Sequence, residues 1–403
     1  MSTKYPGGVI KSSPVVPAGP YQNSSASGVW TMEQAGYWIK QGNWPTAGNL
    51  PPYGGLYSWG QNNRGQLGLG NITNRSSPVQ VGALTTWLSL SGGAEHTLTI
   101  KTDGTLWSWG YNDKGQLGLG NSTYYSSPKQ IGALTTWSKI ACGNSYTIAT
   151  KTDGTLWSWG SNNFGQLGLG NITNRSSPVQ VGALTTWLNI ACGAFHTIAT
   201  KTDGTLWSWG GNSFGELGLG NTTNRSSPVQ VGALTTWSKI ASNGGYHTIA
   251  TKTDGTLWSW GKNADGQLGL GNITYYSSPK QVGALTTWLN IAGGEAHTIA
   301  TKTDGTLWSW GDGIHGRLGL GNETNYSSPK QIGALTTWSK IACGEAHTIA
   351  TKTDGTLWSW GFNSSGQLGL GDTDQRSSPV QVGALTTWSK IACGDNFTLA
   401  IQS

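Results

Sequence analysis

Apolar and polar positions alternate in short stretches that recur along most of the chain. The runs H-T-I-A-T-K and T-L-W-S-W have this β-prone pattern, and K-T-D-G-T joins them, as at residues 101–105, through an Asp-Gly pair typical of hairpin turns. Two further short runs, W-S-K-I-A-C and K-Q-I-G, complete a unit of four, and no stretch within it has a helical period long enough to compete. The pattern predicts four antiparallel strands, which we label a (W-S-K-I-A-C), b (H-T-I-A-T-K), c (T-L-W-S-W) and d (K-Q-I-G).

This four-strand unit is repeated seven times. The motif W-S-W-G, or its variant Y-S-W-G in the first copy, recurs at a spacing of 50 residues, with one spacing of 51. Its last tryptophans are Trp59, Trp109, Trp159, Trp209, Trp260, Trp310 and Trp360. Four short antiparallel strands repeated seven times predict an all-β fold, a seven-bladed β-propeller of four-stranded antiparallel blades. The two tryptophans of W-S-W lie on one face of their strand, so we expect them to fill the space between blades.

The phase of the repeat predicts how the ring closes. The first copy begins at Leu56 without a preceding strand b, whereas the last copy ends with strands a and b, from Ile391 to Ile401. We therefore expect the C-terminal strands to pair with the first repeat, which leaves no sheet edge open at the closure. Residues 51–403 are assigned to the propeller, and residues 1–50 to a separate N-terminal segment.

The N-terminal segment is predicted to be an anchor. Residues 1–28 are rich in Pro, Gly and Ser and should be extended, whereas Thr31-Met-Glu-Gln34 is typical of a capping box that opens a short helix over about 31–41. The segment is too apolar for a free tail, so we expect it to dock on the propeller or on a partner. Its candidate anchor residues are Trp30, Tyr37, Trp38 and Trp44.

Composition and charge exclude several classes of protein. The 403 residues include 62 Gly and 23 Trp but only 10% charged residues, which excludes a coiled coil or a charge-driven disordered chain. The 24 Lys and Arg against 18 Asp and Glu give a net charge of +6 without any basic run, so we expect no nucleic-acid partner. No apolar stretch is long enough for a signal peptide or a membrane span. We therefore expect no secretory export and no membrane insertion.

The repeat resembles that of a known family. The motifs W-S-W-G-x-N-x-x-G-Q-L-G-L-G and A-C-G-x-x-H-T-I-A, over residues 56–401, are similar to the repeats of the regulator-of-chromosome-condensation family. The resemblance implies a seven-bladed propeller with a split blade, and functions that range from nucleotide exchange on a small GTPase to β-lactamase inhibition and scaffolding. Exchange-factor members carry an inserted hairpin wedge and a basic tail. This chain has one single-residue insertion, near Asn243, and no basic tail, so exchange activity is not expected.

Differences between the copies concentrate at one end of the predicted blades. They fall after W-S-W-G, in the middle of the long c–d loop, and before H-T in the a–b loop. In an antiparallel meander these connections lie on one face, which we call the varied face; the nearly invariant b–c and d–a loops form the opposite, constant face. The varied positions are rich in Tyr, Phe, Arg and Asn, which are typical of binding surfaces, although drift at exposed loop tips is the alternative.

The candidate ligand- or receptor-binding residues are the large or charged side chains of the varied face. They are Arg64, Arg75, Tyr111, Lys114, Tyr124, Tyr125, Phe164, Arg175, Phe195, Phe214, Arg225, Tyr246, Tyr275, Tyr276, His315, Tyr326, Phe362 and Arg376.

Two rings of repeated residues could instead hold a metal. Five histidines occupy one repeat position, where other copies have Tyr146 and Phe397, and we favour a repeated structural hydrogen bond over a ligand ring. The equivalent cysteines are interpreted as small buried thiols, because matching positions in different blades are too far apart to form a disulfide. These residues are His96, His196, His247, His297 and His347, and Cys142, Cys192, Cys343 and Cys393.

No catalytic set stands apart from the repeat. G-Q-L-G-L-G resembles a phosphate loop, but no helix follows it and it lacks the lysine of that motif. The N-x-T triplets, such as the one at Asn71, are interpreted as turn residues rather than glycan acceptors. We predict no enzymatic activity, no cofactor and no bound metal.

A second resemblance concerns the N-terminal segment. Ser27-Gly-Val-Trp-Thr-Met-Glu-Gln34 through Gln41-Gly-Asn-Trp-Pro45 is similar to a segment near the N-termini of structural proteins of marine tailed bacteriophages. This resemblance implies a virion tail fibre or surface appendage, made in the host cytoplasm. Residues 1–50 would contact other virion proteins, and the varied face would recognise a host glycan or protein. The alternative is a soluble bacterial propeller that binds or inhibits a protein partner, and a homo-oligomer is left open.

Overall fold

The computed structural model describes residues 54–402. The predicted anchor, its helix over about 31–41 and its residues Trp30, Tyr37, Trp38 and Trp44 lie outside the described residues. Within residues 54–402, no helix has the length and apolarity that a membrane span requires.

The described chain is built of short strands and one short 3-10 helix (Ile314–Gly316). The first fourteen strands are β1 (Leu56–Gly60), β2 (Arg75–Gln80), β3 (Trp87–Gly92), β4 (His96–Lys101), β5 (Leu106–Gly110), β6 (Tyr125–Gln130), β7 (Trp137–Cys142), β8 (Tyr146–Lys151), β9 (Leu156–Gly160), β10 (Arg175–Gln180), β11 (Trp187–Cys192), β12 (His196–Lys201), β13 (Leu206–Gly210) and β14 (Arg225–Gln230). The others are β15 (Trp237–Ala241), β16 (His247–Lys252), β17 (Leu257–Gly261), β18 (Tyr276–Gln281), β19 (Trp288–Gly293), β20 (His297–Lys302), β21 (Leu307–Gly311), β22 (Tyr326–Gln331), β23 (Trp338–Cys343), β24 (His347–Lys352), β25 (Leu357–Gly361), β26 (Arg376–Gln381), β27 (Trp388–Cys393) and β28 (Phe397–Gln402).

The strands form seven four-stranded antiparallel sheets, as the repeat predicts. Blade 2 contains β3 to β6, and each later group of four makes the next blade, up to β23 to β26 in blade 7. The first strand of each group, strand a, lies beside the a strands of the two neighbouring blades. These strands therefore surround the axis of the ring, and strand d lies at its rim.

Blade 1 confirms the predicted closure. Its strand order is β2-β1-β28-β27, so the C-terminal hairpin supplies the two inner strands and the first repeat supplies the two outer strands. β1 and β28 pair in continuous register from Leu56 opposite Ile401 to Gly60 opposite Phe397. The sheet edge that either terminus would leave exposed is thereby paired.

Strand d differs from its predicted position. The sequence pattern placed it at K-Q-I-G, whereas the strand is R/Y-S-S-P-V/K-Q, for example Arg75–Gln80, which shares only its last two residues with the predicted run. Proline is tolerated there because d is the outermost strand and its free edge needs no N–H donor. The register between strands c and d shifts near this proline, which accommodates the extra residues. The positions occupied by Arg75 and Tyr125 thus begin a strand instead of lying within a loop.

The apolar core consists of clusters between neighbouring blades. Between blades 1 and 2, Leu56 and Val81 of one blade pack with Trp87, Trp107 and Trp109 of the next. Trp87 meets the other two rings edge-on, with centroids 6.2 and 6.1 Å apart. Equivalent tryptophan trios recur in the other blades, except that Tyr57 replaces one tryptophan in blade 1. Both tryptophans of W-S-W therefore fill the space between blades, as predicted.

Polar side chains also join the blades. The Trp109 indole N–H and the Thr97 hydroxyl both donate to the main-chain carbonyl of Gln66 in the preceding blade, at 2.9 and 2.8 Å. At the closure, the indole N–H of Trp59 donates in the same way to the carbonyl of Gln367, at 3.0 Å. Blade 1 is therefore held by the same contacts as the blades formed from contiguous sequence.

Side-chain contacts within K-T-D-G-T hold the b–c loops of the constant face. Asp103 accepts hydrogen bonds from the backbone N–H and the hydroxyl of Thr105, and the Thr105 hydroxyl accepts one from the Trp107 indole. The Lys101 ammonium lies 3.6 Å from the centroid of the Trp107 ring, a cation–π contact. The repeated lysines therefore stabilise the blades, with equivalents at Lys151, Lys201, Lys252, Lys302 and Lys352.

Candidate functional site

The a–b and c–d loops meet at one end of the ring, as predicted for the varied face. In blade 2 the backbone N–H of Tyr111 donates to the carbonyl of Glu95 at 2.9 Å, which ties the start of the c–d loop to the a–b loop. At the opposite end, the N–H of Thr102 donates to the carbonyl of Thr86 and ties the b–c loop to the d–a loop. The residues that differ among copies are thus held together on a fixed platform.

A buried asparagine fixes the shape of most c–d loops. The Asn62 amide accepts a hydrogen bond from the Leu67 N–H at 3.0 Å and donates to the carbonyls of Asn71 and Thr73, both at 3.0 Å. The Asn71 carboxamide oxygen in turn accepts from the Thr73 N–H, an Asx turn. This contact supports the interpretation of N-x-T as a turn. Gly65, with φ +78°, crosses so close to Ser126 of the next blade that no Cβ would fit.

Five of the predicted binding residues form one continuous group of rings, which we call the aromatic crescent. It runs over blades 3, 4 and 5 and consists of Phe164, Phe195, Tyr246, Phe214 and Tyr275. Successive ring centroids along this series are 5.1, 5.9, 5.4 and 5.7 Å apart. Phe164 and Tyr275, at its two ends, are 38% and 43% exposed, whereas the three central rings are half-buried.

The crescent also holds a positive charge. The Lys262 ammonium lies 5.6 Å from the Tyr246 ring and 5.8 Å from the Phe214 ring. These distances are within cation–π range, so the lysine reinforces the ring contacts and adds a charged donor to an otherwise apolar surface.

A second group spans blades 1 and 2. The Arg64 guanidinium lies 5.0 Å from the Tyr111 ring, and Tyr111 packs against Tyr124 with centroids 4.7 Å apart. Arg64 also approaches the carboxylate of Glu95 at 3.6 Å. The predicted residue Lys114 is exposed and pairs with its neighbour Asp113 at 2.9 Å. This group is separate from the crescent in its described ring contacts.

The c–d loop of blade 6 departs from the pattern. Gly313 replaces the buried asparagine, and a buried ion pair between Arg317 and Asp312, at 3.2 Å, is formed instead. His315 adopts φ +63°, and within residues 54–402 no other non-glycine residue has a positive φ. Its ring packs on Phe362 with centroids 4.6 Å apart and its Nδ1 lies 3.0 Å from the Gln375 side-chain oxygen. The predicted binding residues His315 and Phe362 therefore contact each other.

Seven predicted residues lie at the rim, where they begin strand d and are half-buried. Where the strand begins with tyrosine its fifth residue is lysine, and the lysine ammonium lies 5.3 Å from the Tyr276 ring. Where it begins with arginine, the fifth residue is valine. This association between the first and fifth residues indicates contacts within the strand. The seven first residues are Arg75, Tyr125, Arg175, Arg225, Tyr276, Tyr326 and Arg376.

An acidic cluster that the repeat pattern did not predict lies at the axis. Glu295, Glu345 and Asp395 occupy the same a–b position in blades 6, 7 and 1. Burial, and then the charges of Glu345, Glu295 and Glu95, raise the pKa of Asp395 to about 7. The signal was the succession of acidic residues before the H-T or F-T of three consecutive copies. No group of three or more His, Cys, Asp or Glu side chains in the described residues could hold a metal ion.

The repeated histidines form hydrogen bonds between blades. His196 Nε2 lies 3.0 Å from the Thr248 hydroxyl of the next blade, and that hydroxyl donates to the carbonyl of Glu216 at 2.9 Å. The imidazole N–H therefore donates to the hydroxyl oxygen. Burial lowers the pKa of His196 to about 3, which keeps the ring neutral. The structural interpretation is confirmed, with equivalents at His96, His247, His297 and His347.

The four cysteines of the described chain are buried and free, as the sequence indicates. Burial raises the pKa of Cys142 to about 12, so this thiol is protonated at neutral pH.

A family model described as the RCC1-like domain matches residues 55–400. The structure resembles human WBSCR16, with 24% identity, a TM-score of 0.79, and coverage of 87% of this chain and 99% of that chain. It also resembles Prp20p from Saccharomyces cerevisiae, with 23% identity, a TM-score of 0.79 and coverage of 88% and 92%. A third likeness is to yeast RCC1 (Prp20) bound to Kap60, with 22% identity, a TM-score of 0.77 and coverage of 86% and 88%.

No curated protein matches the sequence. At these identities the solved structures establish a common fold alone, whereas the family model spans nearly the whole described region. The seven-bladed ring, its split blade and this match agree with the resemblance found in the repeats: the chain belongs to the family of RCC1-like domains.

Proposed function

We propose that the chain is a non-enzymatic binding propeller that takes a protein partner on its varied face. The observation that carries this proposal is the aromatic crescent, in which five rings from three blades form one surface. Aromatic residues are enriched where proteins bind one another, because they provide a large contact area at a small cost in conformational entropy.

The crescent is preorganised for binding. Its central rings are packed against each other, and the loops that present them are held by buried asparagines such as Asn162 and Asn212. Little side-chain freedom is therefore lost when a partner covers the exposed rings of Phe164 and Tyr275. The Lys262 ammonium beside the crescent favours a partner with an acceptor or an acidic group at that point.

The comparisons favour a protein partner over a host glycan. Prp20p is described with binding properties to Gsp1p and histones, and yeast RCC1 (Prp20) is described bound to Kap60. None of the matches given above names a virion protein. A virion location, an anchor in residues 1–50 and a host glycan on the varied face stay predictions, and immunogold labelling of particles from the producing culture would test the location.

The test compares two triple variants of the full chain. Phe164→Ala, Phe214→Ala and Tyr275→Ala remove the crescent. The matched control, Leu184→Ala, Leu234→Ala and Leu285→Ala, removes three large side chains that are 49%, 48% and 49% exposed on the constant face below the same blades. Partners captured from the producing culture by chemical cross-linking are purified, and their affinity is measured by calorimetry.

We expect the crescent variant to weaken binding by at least about thirtyfold, because interface hot spots are typically worth 2 kcal/mol or more. The control should bind like the wild type. Loss of binding in the control alone would place the partner on the constant face and contradict the proposal. Glycan binding that requires the crescent would instead favour the hypothesis of a virion protein that recognises a host glycan.

A further inference from the structure

A cavity of about 580 Å³ lies on the axis of the ring. It is lined by the third and fourth residues of the seven a strands. The fourth residue is Leu or Ile in every blade, whereas the third residues, in order from blade 1, are Lys390, Ser89, Lys139, Asn189, Lys239, Asn290 and Lys340. Each a strand begins after a d–a loop, so the third residue lies nearer the constant face.

Most of these third residues bridge to the next a strand. The Lys139 ammonium donates to the Leu188 carbonyl and to the Asn189 side-chain oxygen, and the Asn189 amide donates to the Ser238 carbonyl at 3.2 Å. Lys239 and Asn290 make the corresponding contacts. In these two pairs the asparagine oxygen supplies an acceptor for the ammonium, so part of the hydrogen-bonding capacity of the lysine is used within the ring.

The lysine–asparagine contacts around the cavity are interrupted where blades 7, 1 and 2 meet. Lys340 and Lys390 are neighbours there, with no asparagine between them, and each has only a main-chain carbonyl as acceptor, that of Ser389 and that of Leu88 respectively. An ammonium has three N–H donors, so each lysine keeps two. The adjacent Ser89 hydroxyl is buried and has no hydrogen-bond partner among the described residues.

The positive charges of Lys340 and Lys390 are not balanced by a carboxylate in the described cavity lining. No carboxylate occurs among the residues that line the described cavity. Burial, and then the charge of Lys340, lowers the pKa of Lys390, so the two ammonium groups oppose each other. The acidic cluster of Glu295, Glu345 and Asp395 lies toward the varied face and would repel a negative ligand from that end.

We propose that this cavity binds a small multivalent oxyanion, carrying phosphate or carboxylate groups, between Lys340, Lys390 and the hydroxyl of Ser89. The free N–H donors of the two lysines and the unpartnered hydroxyl supply the hydrogen bonds, and the anion offsets the repulsion between the ammonium groups. The volume is within the range of small-molecule sites. The ligand enters from the constant face, so the site is independent of the aromatic crescent.

The test is calorimetric titration of the full chain with pyrophosphate and with citrate, in buffer of low chloride content. Lys340→Gln/Lys390→Gln is compared with Lys280→Gln/Lys330→Gln, which removes the same charge from the rim. We expect binding of one anion per chain. The cavity variant, Lys340→Gln/Lys390→Gln, should weaken this binding at least about tenfold, and the rim variant, Lys280→Gln/Lys330→Gln, should weaken it little. The preferred probe identifies the anion as a phosphate or a carboxylate.

The proposal is overturned if the wild type binds neither probe more tightly than chloride, or if both double variants weaken binding equally, because the attraction would then be diffuse. Ser89→Ala keeps all four lysines that line the cavity. It replaces the Lys340→Gln/Lys390→Gln variant in the test if that variant does not fold. It should weaken binding severalfold while the thermal unfolding temperature without the anion stays near that of the wild type. Unchanged affinity in Ser89→Ala would remove the serine from the site and overturn the proposal.

Discussion

At the scale of single residues, the surroundings decide what each repeated side chain does. Lys101 lies against a tryptophan ring and stabilises its blade, whereas Lys340, of the same chemistry, lines the axial cavity. At the histidine position, Tyr146 spans to the next blade through its hydroxyl, which donates to the Gly193 carbonyl at 3.1 Å, and Phe397 fills the same space with no polar contact. The position requires a ring, and the polar contact can vary.

The buried histidines make stability depend on pH. Burial lowers the pKa of His96, His196 and His347 to about 3 and that of His247 to about 4, so these rings stay neutral in the folded state. Unfolded imidazoles bind protons below about pH 6.5, so the unfolded state takes up more protons and stability decreases as the pH falls. Burial raises the pKa values of the carboxyl groups of Asp395, Glu216, Glu295 and Asp265, and these groups act in the opposite direction.

His247→Phe, which copies the native Phe397, should make this decrease shallower by up to about 1.4 kcal/mol per pH unit, the effect of one proton. Phe397→His should make it steeper. The measurement is the free energy of unfolding in urea between pH 6.5 and 4.5. If the free energy of unfolding changed with pH equally in the wild type and both variants, the buried histidines would not be the source of the pH dependence.

At the scale of elements, strand d shows two solutions to one packing problem. Strands that begin with tyrosine carry a lysine four residues later, whose ammonium lies 5.3–5.4 Å from the ring. Strands that begin with arginine carry valine at that place, which avoids two like charges side by side. The two positions therefore act as a unit, and their variation among copies follows from this packing.

A double-mutant cycle on β18 tests this coupling. We expect Tyr276→Arg alone to destabilise the chain more than Tyr276→Arg combined with Lys280→Val, because the single variant replaces a cation–π contact with repulsion. The coupling should be about 0.5–1 kcal/mol, measured by urea unfolding. Effects that simply add would show that the two residues vary independently.

At the scale of the whole molecule, the ring depends on its closure. Blade 1 brings residues of the first and last repeats together, and the Gln402 N–H donates to the Gly55 carbonyl at 3.1 Å. Without the C-terminal hairpin, β1 and the a strands of blades 2 and 7 would each lose a neighbour.

Deleting residues 388–403 should therefore abolish the cooperative thermal transition and cause association, because an unpaired strand edge and apolar clusters become exposed. A circular permutant that joins residue 402 to residue 54 through a short linker and opens at the d–a loop after β14 is the control. It should unfold cooperatively, as seen by calorimetry. A cooperative monomeric deletion variant would show that closure contributes little.

Much of the fold was predictable because each repeat carries its own turn and packing signals. Seven copies of W-S-W-G, the first written Y-S-W-G, and six of K-T-D-G specify seven four-stranded units. The phase of the first and last copies specifies the split blade. The bounds of strand d were wrong, because a proline-containing run was not expected to be a strand. Its position at the rim, which the tertiary structure sets, makes the proline harmless.

The sequence by itself determined the blade count, the closure and the face on which the copies differ, because these follow from local patterns and chain order. The tertiary structure alone decided which side chains meet. Phe164, Phe195 and Tyr246 come from three blades, and Lys340 joins Lys390 and Ser89 only because the ring brings the last repeats beside the first. Contacts between residues far apart in sequence depend on the angle and register between blades, which no single repeat encodes.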